Sequence, residues 1–548
     1  MSEHSVLLVE VKDILQALRQ QQQNSPSRLR RERTRSQHST SEDQANVDAS
    51  TANAAADRNT ISAPVNLIRN RFTASSGLAR LSRDSKDVVE LDLLSERQAL
   101  NLQELFFQRV GPWIGIPNWN AISEARDVRR ISPLLFAAIC LQGGRLDPFF
   151  CNSPQHDQLY EHVRALTGRE LLISPLPLES VCALLIVGVW STSPKEKAEF
   201  IDSWLMSGYA IQQAMLCINF TSLLRRMNEG RSDHVDQRKL RLWNMICLCH
   251  LQFSVGTGRP SVIAPEYLEH CSAILGTTGA TVYDGISIAT LQLFAIVQDL
   301  LKHNSLTEEH SRRHIRGWTS KWGHLLGAED HRFCVLQMAV DFCHLVFDRR
   351  CLEYYSAAMS ETPGPEQDLI SPKATNSGSQ LQSPTVGNSS LDRNFIRLSA
   401  MRDRYLLLCK EHAFQLLNTF KSLSPQVAEE IPEFLLLCIV YAMIVLAELY
   451  KETPVDPATP QIIRETLEFG QRVASGTTIS FELTAAALGQ FLGTAESYTQ
   501  RHEEQTQNGI DTAHARIDTT ALAHEVWDLP QLEDIFNGNF GDSYRWYG

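Results

Sequence analysis

No cysteine occurs in the first 139 residues of this 548-residue chain; all twelve lie between Cys140 and Cys438. Thiolate-ligated metal modules draw their ligands from clustered cysteines, so residues 1–139 cannot hold one. The cysteines that are present sit mostly inside apolar runs of helical character, where a free Cys behaves as a small hydrophobe. They are expected as reduced thiols rather than as a disulfide framework. An excess of positive charge is missing too: 51 Lys and Arg stand against 63 Asp and Glu, a net charge of −12. That balance excludes an electrostatic grip on nucleic acid by the whole surface and leaves only local or partner-borne contact with DNA.

Long hydrophobic runs are scarce. The longest, Phe434 to Ala447, is shorter than the roughly 20 residues of a membrane-spanning helix, and Pro432 and Glu433 ahead of it mark an ordinary helix start. It reads as a core helix, and no membrane partner is expected. Glu3, Glu10 and Asp13 interrupt the N-terminal apolar residues, so no secretory segment is read there, and the protein is expected on the nucleocytoplasmic side. Catalytic motifs are missing as well. Gly256-Thr-Gly258 and Gly276-Thr-Thr-Gly279 lack the preceding strand and the Lys-Ser/Thr of a phosphate loop, and neither HExxH, GxSxG nor an Asp-rich magnesium run occurs. Cys247, Cys249 and His250 resemble a ligand cluster only on paper, because on one helix the two cysteines point about 200° apart. Cys334, Cys343 and Cys351 fail the same angular test. No enzyme, catalytic residue, cofactor site or metal site is expected.

What is present is helical periodicity, framed by polar segments. Residues 1–24 place Leu7, Val11, Ile14 and Leu18 at the a/d spacing of a short coiled coil. This is a candidate dimerisation helix, with an amphipathic arm packed on its own domain as the alternative. Residues 25–84 form a linker, basic at first through Arg28, Arg30, Arg31, Arg33 and Arg35, then polar and expected to be disordered. The arginines form a candidate nuclear-localisation or phosphate-contacting patch, the alternative being a plain solvated linker. From 85 to 359 helical patterns follow one another, at about 88–110, 133–142, 155–168, 178–191, 195–219, 236–255, 281–302, 306–325 and 329–356. Trp113 and Trp119, in the loop after the first, read as core anchors. Residues 360–394 read as a disordered insertion carrying Thr362-Pro, Ser371-Pro and Ser383-Pro, dipeptides that can accept phosphate but that chance explains equally well. Helices resume over 395–500, at 395–422, 427–450, 459–474 and 478–500. The tail, 501–548, mixes acids with Trp527, Leu529, Leu532, Ile535 and Phe536 in an acidic-aromatic candidate activation segment. No period-two alternation and no fixed repeat competes with these patterns, so the fold is predicted to be all-α, a large irregular multi-helix domain rather than a solenoid.

The chain centres on the segment from Arg238 to Ile263. Leu240, Leu242, Trp243, Met245, Ile246, Leu248, Leu251, Phe253 and Val255 leave it almost no polar face, so as a helix it must be buried nearly all round. Gly256 and Gly258 can take the left-handed conformation that ends a helix, and Pro260 pushes Arg259 into an extended one. Arg259 lies where its guanidinium can satisfy carbonyls left open at the helix end.

A helix opening with Arg and Trp and closing on Gly258-Arg259-Pro260 before a β-branched apolar residue resembles the signature of the fungal transcription-factor middle homology region. Trp243, Gly258, Arg259 and Pro260 carry the likeness as structural signature residues. Asn244 and His250 stand where that family usually has a second Trp and an Asp. The segments from Ser203 to Met215 and from Ser132 to Cys140 resemble two earlier family helices, so the likeness extends over roughly residues 85 to 500. It implies the regulatory domain of a zinc-cluster (Zn2Cys6) transcription factor whose zinc cluster is absent from this chain, and zinc is expected only if such a cluster lies upstream. The implied protein is a nuclear transcriptional regulator recruited to DNA through a homo- or heterodimer partner, with a transcriptional coactivator engaging the tail and a small-molecule effector acting on the helical domain. Regulators of nitrogen, leucine or secreted-protease genes rank ahead of sugar regulators. The alternative is a helical interaction scaffold or co-regulator that does not bind DNA.

Overall fold

Helix after helix begins where a Ser, Asp or Asn side chain accepts a hydrogen bond from an otherwise unpaired backbone N–H. Ser132, Ser153 and Ser424 each cap a helix whose first residue is a proline, which has no N–H to leave unsatisfied. Asp202, Asn219 and Asp233 cap three more, and Ser95 forms a reciprocal capping box with Gln98.

The computed structural model describes residues 86–115, 128–190, 201–302, 308–326, 331–361, 388–452, 456–473 and, apart from scattered positions, 481–497. The chain divides into units 1–56 and 57–548, and all of these residues belong to the second. Among them there is no strand. In order they form α1 (Glu96–Leu105), α2 (Pro133–Arg145), α3 (Pro154–Glu170), α4 (Leu178–Val189), α5 (Ser203–Cys217), α6 (Phe220–Asn228), α7 (His234–Gly256) and α8 (Pro265–Glu269). There follow α9 (Val282–Lys302), α10 (Glu308–Trp322), α11 (His331–Glu361), α12 (Asn388–Ser422), α13 (Pro425–Glu430), α14 (Glu433–Glu452) and α15 (Ala458–Val473). Helical positions continue at 484–489 and 491–493.

The sequence-based series is corrected in several places, among them 427–450, which is two helices, α13 and α14, separated at Ile431 and Pro432, and 265–269, where the short α8 is not expected from the periodicity. The stretch 88–110 is not one helix: Asp92 takes a positive φ of 56°, Ser95 starts α1 afresh, and α1 runs on into a π turn, Phe106–Val110. Helix α6, which the periodicity reading passes over, buries Phe220, Leu223 and Met227 on one short face. Helix α12 begins at Asn388, inside the stretch assigned to the insertion. By length and apolar content α14, and α9 with it, could span a bilayer, so burial and not shortness marks α14 as a core helix: 89% of its apolar window is inside the protein.

Phe434, at the start of α14, is the aromatic hub of the core. Its ring centroid lies 5.3 Å from Phe253 of α7 and 5.5 Å from both Phe294 of α9 and Phe342 of α11, each edge-on. Such edge-to-face pairs add to the area buried. Helices α11 and α12 pair antiparallel, His344 stacking on His412 at 4.7 Å and Tyr355 on Tyr405 at 5.6 Å. Helix α2 approaches α1 so closely that a Cβ at Gly143 would lie 1.8 Å from the Leu102 carbonyl oxygen, so only glycine fits there. Trp113 packs half-buried against the core; Trp119 lies outside the described residues.

Candidate functional site

Helix α7 occupies the middle of this arrangement, packed on α4, α5 and α9. From Leu242 to Thr257 every residue is buried except Met245 and Gln252. Trp243 is fully inaccessible; its indole N–H donates to the Tyr267 carbonyl at 3.3 Å and its ring meets Phe220 edge-on at 4.8 Å. Neighbouring Asn244 donates from Nδ2 to the Cys271 carbonyl at 3.1 Å, while its buried Oδ1 has no hydrogen-bond partner.

The helix ends one residue later than a Gly256 cap would have it. Gly256 stays helical, the Thr257 hydroxyl donates to the Phe253 carbonyl at 2.6 Å, and Gly258 takes the left-handed turn at φ 67°. Arg259 does not cap carbonyls at this end. Its Nη1 donates to Asp202 Oδ2 at 2.6 Å, at the N-cap of α5, and its guanidinium lies 5.2 Å over the Trp204 ring. Trp204 in turn donates from its indole N–H to the Pro260 carbonyl at 3.2 Å and stacks on His250 at 5.8 Å. The His250 ring accepts the Val262 N–H at Nε2, 3.1 Å away, so its proton is on Nδ1 and points to the Ser207 hydroxyl oxygen, also at 3.1 Å. The Ser207 hydroxyl donates onward to the Ser203 carbonyl. Burial pushes the His250 pKa down to about 4, which keeps the imidazole neutral in this role. Gly258, Arg259 and Pro260 thus tie the end of α7 to the start of α5.

Beside this junction lies a cavity of about 480 Å³ between the turns after α1, one stripe of α7, and helices α9 and α11. The stripe consists of Arg241, Asn244, Met245, Leu248, Cys249 and Gln252, which follow the i, i+3, i+4, i+7 spacing of one helix face. Most of the remaining wall is apolar, with Phe107, Trp113, Ile286, Val335 and Leu435 among it. At one side Arg241 makes two hydrogen bonds to Asp284, at 2.8 and 2.9 Å, and a third to the Gly279 carbonyl. Burial alone would raise the Asp284 carboxyl, but the Arg241 guanidinium and the N–H and hydroxyl of Thr281 hold it below the ordinary carboxylate range. The same pairing raises Arg241.

Sequence reasoning missed this cavity. The available signal was the spacing of Arg241, Asn244 and Gln252, polar positions on one face of an otherwise apolar helix. Of the three residues that look like a ligand cluster on paper, His250 faces Ser207 and Val262, Cys247 is a buried free thiol whose pKa burial raises, and Cys249 lines the cavity with its thiol pushed up by burial to about 12. Among the described residues no group of His, Cys, Asp or Glu is arranged to hold a metal. Leu7, Val11, Ile14 and Leu18, the arginines from Arg28 to Arg35, the Thr-Pro and Ser-Pro dipeptides of the insertion, and the tail residues Trp527, Leu529, Leu532, Ile535 and Phe536 all lie outside the described residues.

Residues 92–371, from the turn before α1 to beyond α11, match the family model of the middle domain of the transcriptional activator of proteases prtT. The chain belongs to this family. The prtT activator of Aspergillus clavatus is 31% identical over 274 residues, which cover 50% of this chain and 43% of that protein. The activator of the same name from Aspergillus oryzae is 30% identical over 245 residues, 44% of this chain and 37% of its own length. An uncharacterized transcriptional regulatory protein of Schizosaccharomyces pombe is 24% identical over 247 residues, 44% of this chain and 46% of that protein. The chain spans less than half the length of these curated relatives. No solved structure matches it. The prtT-type middle domain therefore includes the α5–α7 junction and nearly all of the cavity wall; only Pro432 and Leu435 come from beyond the matched region.

Proposed function

We propose that this chain is a fungal transcriptional regulator that works in the nucleus through its helical middle domain and its acidic-aromatic tail. The match of residues 92–371 to the prtT middle domain carries this reading. Three relatives' names, two of them transcriptional activators of proteases, support it further. No catalytic role is read. Recruitment to DNA goes through a partner, with the a/d residues Leu7, Val11, Ile14 and Leu18 as the pairing seam, or through a zinc cluster lying outside this sequence. Arg28, Arg30, Arg31, Arg33 and Arg35 serve nuclear import, the tail engages a coactivator, and a small-molecule effector acts on the helical domain. The decisive experiment follows tagged protein in cells and maps its occupancy of chromatin. Nuclear accumulation and reproducible enrichment at promoters are expected; a protein that stays cytoplasmic and never appears at promoters would be a scaffold or co-regulator instead.

A further inference from the structure

Helix α5 contains no charged residue, in a chain of which 21% is charged. Yet one side of it meets solvent: Leu205 is 53% exposed, Leu216 is 46% exposed, and Gln212 is exposed between them. With the half-buried Tyr209 these residues follow a spacing of four, three and four, which at 100° per residue puts all of them within about 60° of one another. No other residue of α5 is exposed. The Tyr209 hydroxyl donates to the Glu170 and Ile173 carbonyls, at 3.3 and 3.0 Å, and so brings Leu172, 90% exposed, to the flank of the stripe. A helix that meets water ordinarily carries charge on that side, as α10 does with Arg313, Arg316 and Lys321. An uncharged, apolar stripe facing outward is the mark of an interaction surface.

The order of the residues says what fits it. The stripe reads alike from either end: Leu205 and Leu216 stand equally far from its midpoint, as do Tyr209 and Gln212, and the flanking Met206 and Met215 keep the same symmetry. In a two-fold, antiparallel pair of α5 helices, residues equidistant from that midpoint face one another. Leu205 then meets Leu216 of the partner subunit, Tyr209 meets Gln212 of the partner subunit, and each contact occurs twice. Without charge the face meets its own copy free of repulsion, and the antiparallel arrangement sets the positive end of each helix dipole beside the negative end of the other. We propose that α5 is a pairing surface for a second copy of this chain. This pairing is separate from the seam proposed at Leu7, Val11, Ile14 and Leu18, and it rests neither on that seam nor on the reading as a regulator. From Leu205 to Leu216 the stripe is about 16 Å long. One helix pair of that length, with Leu172 beside it, falls short of the roughly 800 Å² per partner of a standard interface, so the pairing is reversible, with a Kd of about 1–100 µM.

The test uses the full chain with its N-terminal seam disabled by Leu7→Ser, Val11→Ser, Ile14→Ser and Leu18→Ser, so that pairing there does not contribute. Sedimentation equilibrium should show monomer and dimer exchanging over that concentration range. In this background Leu205→Glu with Leu216→Glu sets like charges opposite each other at both ends of the pair, and Leu205→Lys with Leu216→Lys does so with the other sign. Each should weaken self-association by about 100-fold or more, whereas an equimolar mixture of the two should recover a dimer holding one chain of each kind. Both leucines are about half in solvent, so these changes leave the core alone, and circular dichroism checks that they do. A parent chain still monomeric at about 100 µM, charged variants that self-associate as the parent does, or a mixture that stays monomeric would each overturn the proposal. Should a charged pair fail to fold, Gln212→Lys decides it. That change places two ammonium groups within one helical turn of each other across the two-fold axis and should weaken the dimer by about tenfold or more, and an unchanged Kd would overturn the proposal.

Discussion

Trp243 shows how much one residue can hold in this fold. Its indole is inaccessible, wedged against Phe220 and Tyr267, with its N–H on the Tyr267 carbonyl. Trp243→Ala should cost about 3–5 kcal/mol, from lost burial and from the void left behind. Against a typical total stability of about 5–15 kcal/mol, that is a large fraction. Thermal unfolding followed by circular dichroism checks it, and an unchanged midpoint would show that α7 is not the centre of the core. The burial of Trp243 was legible in the sequence because the residues around it leave the helix no polar face. The partner of Arg259 was not. Asp202 precedes it by 57 residues, and only the packing of α5 on α7 brings the two together. The same holds for Asn244 and His250: as isolated letters they are departures from a signature, and only the fold gives one an unpaired oxygen and the other a hydroxyl and a backbone N–H.

At the scale of elements, the α11–α12 pair carries a buried titratable cluster. Asp341 is 2% exposed and accepts a hydrogen bond from Gln337, while the stacked His344 and His412 and the Asp348 carboxylate face the same seam. Burial raises the Asp341 pKa to about 7 and lowers His344 to about 4; His412 is also lowered, by burial first. A carboxyl whose pKa is higher folded than unfolded binds its proton more tightly in the fold. Its contribution is therefore most favourable at acid pH and is lost as pH rises from about 4 towards about 7. The lowered histidines act in the opposite direction below their ordinary value, but they are present in both proteins when wild type is compared with Asp341→Asn. Asn cannot ionise, so the variant should gain on the wild type as pH rises, by on the order of 1–3 kcal/mol at pH 8 relative to pH 5. Paired melting curves at the two pH values measure this. A difference independent of pH would show that Asp341 is not buried as a neutral acid. Long helices such as α11 and α12 were legible from periodicity, whereas α6 was not, since three apolar residues on a short face give too little pattern against the background. The break before α1 depends on the backbone turn at Asp92, which side-chain periodicity does not record.

For the whole molecule, the proposed function joins the helical domain to segments whose chemistry is carried by composition alone. In the tail, Leu529, Leu532, Ile535 and Phe536 fall at helical spacing among Asp528, Glu533 and Asp534, a pattern suited to folding on a groove-bearing partner. Fusing residues 520–548 to an unrelated DNA-binding domain should raise reporter output; silence would mean that the tail docks on its own domain. Contact with DNA is the harder demand, because a net charge of −12 repels phosphate and Arg28, Arg30, Arg31, Arg33 and Arg35 form the one basic run. Five arginines in a stretch whose sequence carries no apolar periodicity are expected to neutralise phosphates but not to present paired donors in register to base edges in the major groove. Binding by this chain alone should therefore be weak and indifferent to sequence. It should fall with salt no more steeply than about the 4.5 power expected for five phosphate contacts. A titration of labelled duplexes across salt concentrations, with no partner present, measures that slope. Selection of one sequence from a random pool at physiological salt would contradict it and place a base-reading element within these 548 residues.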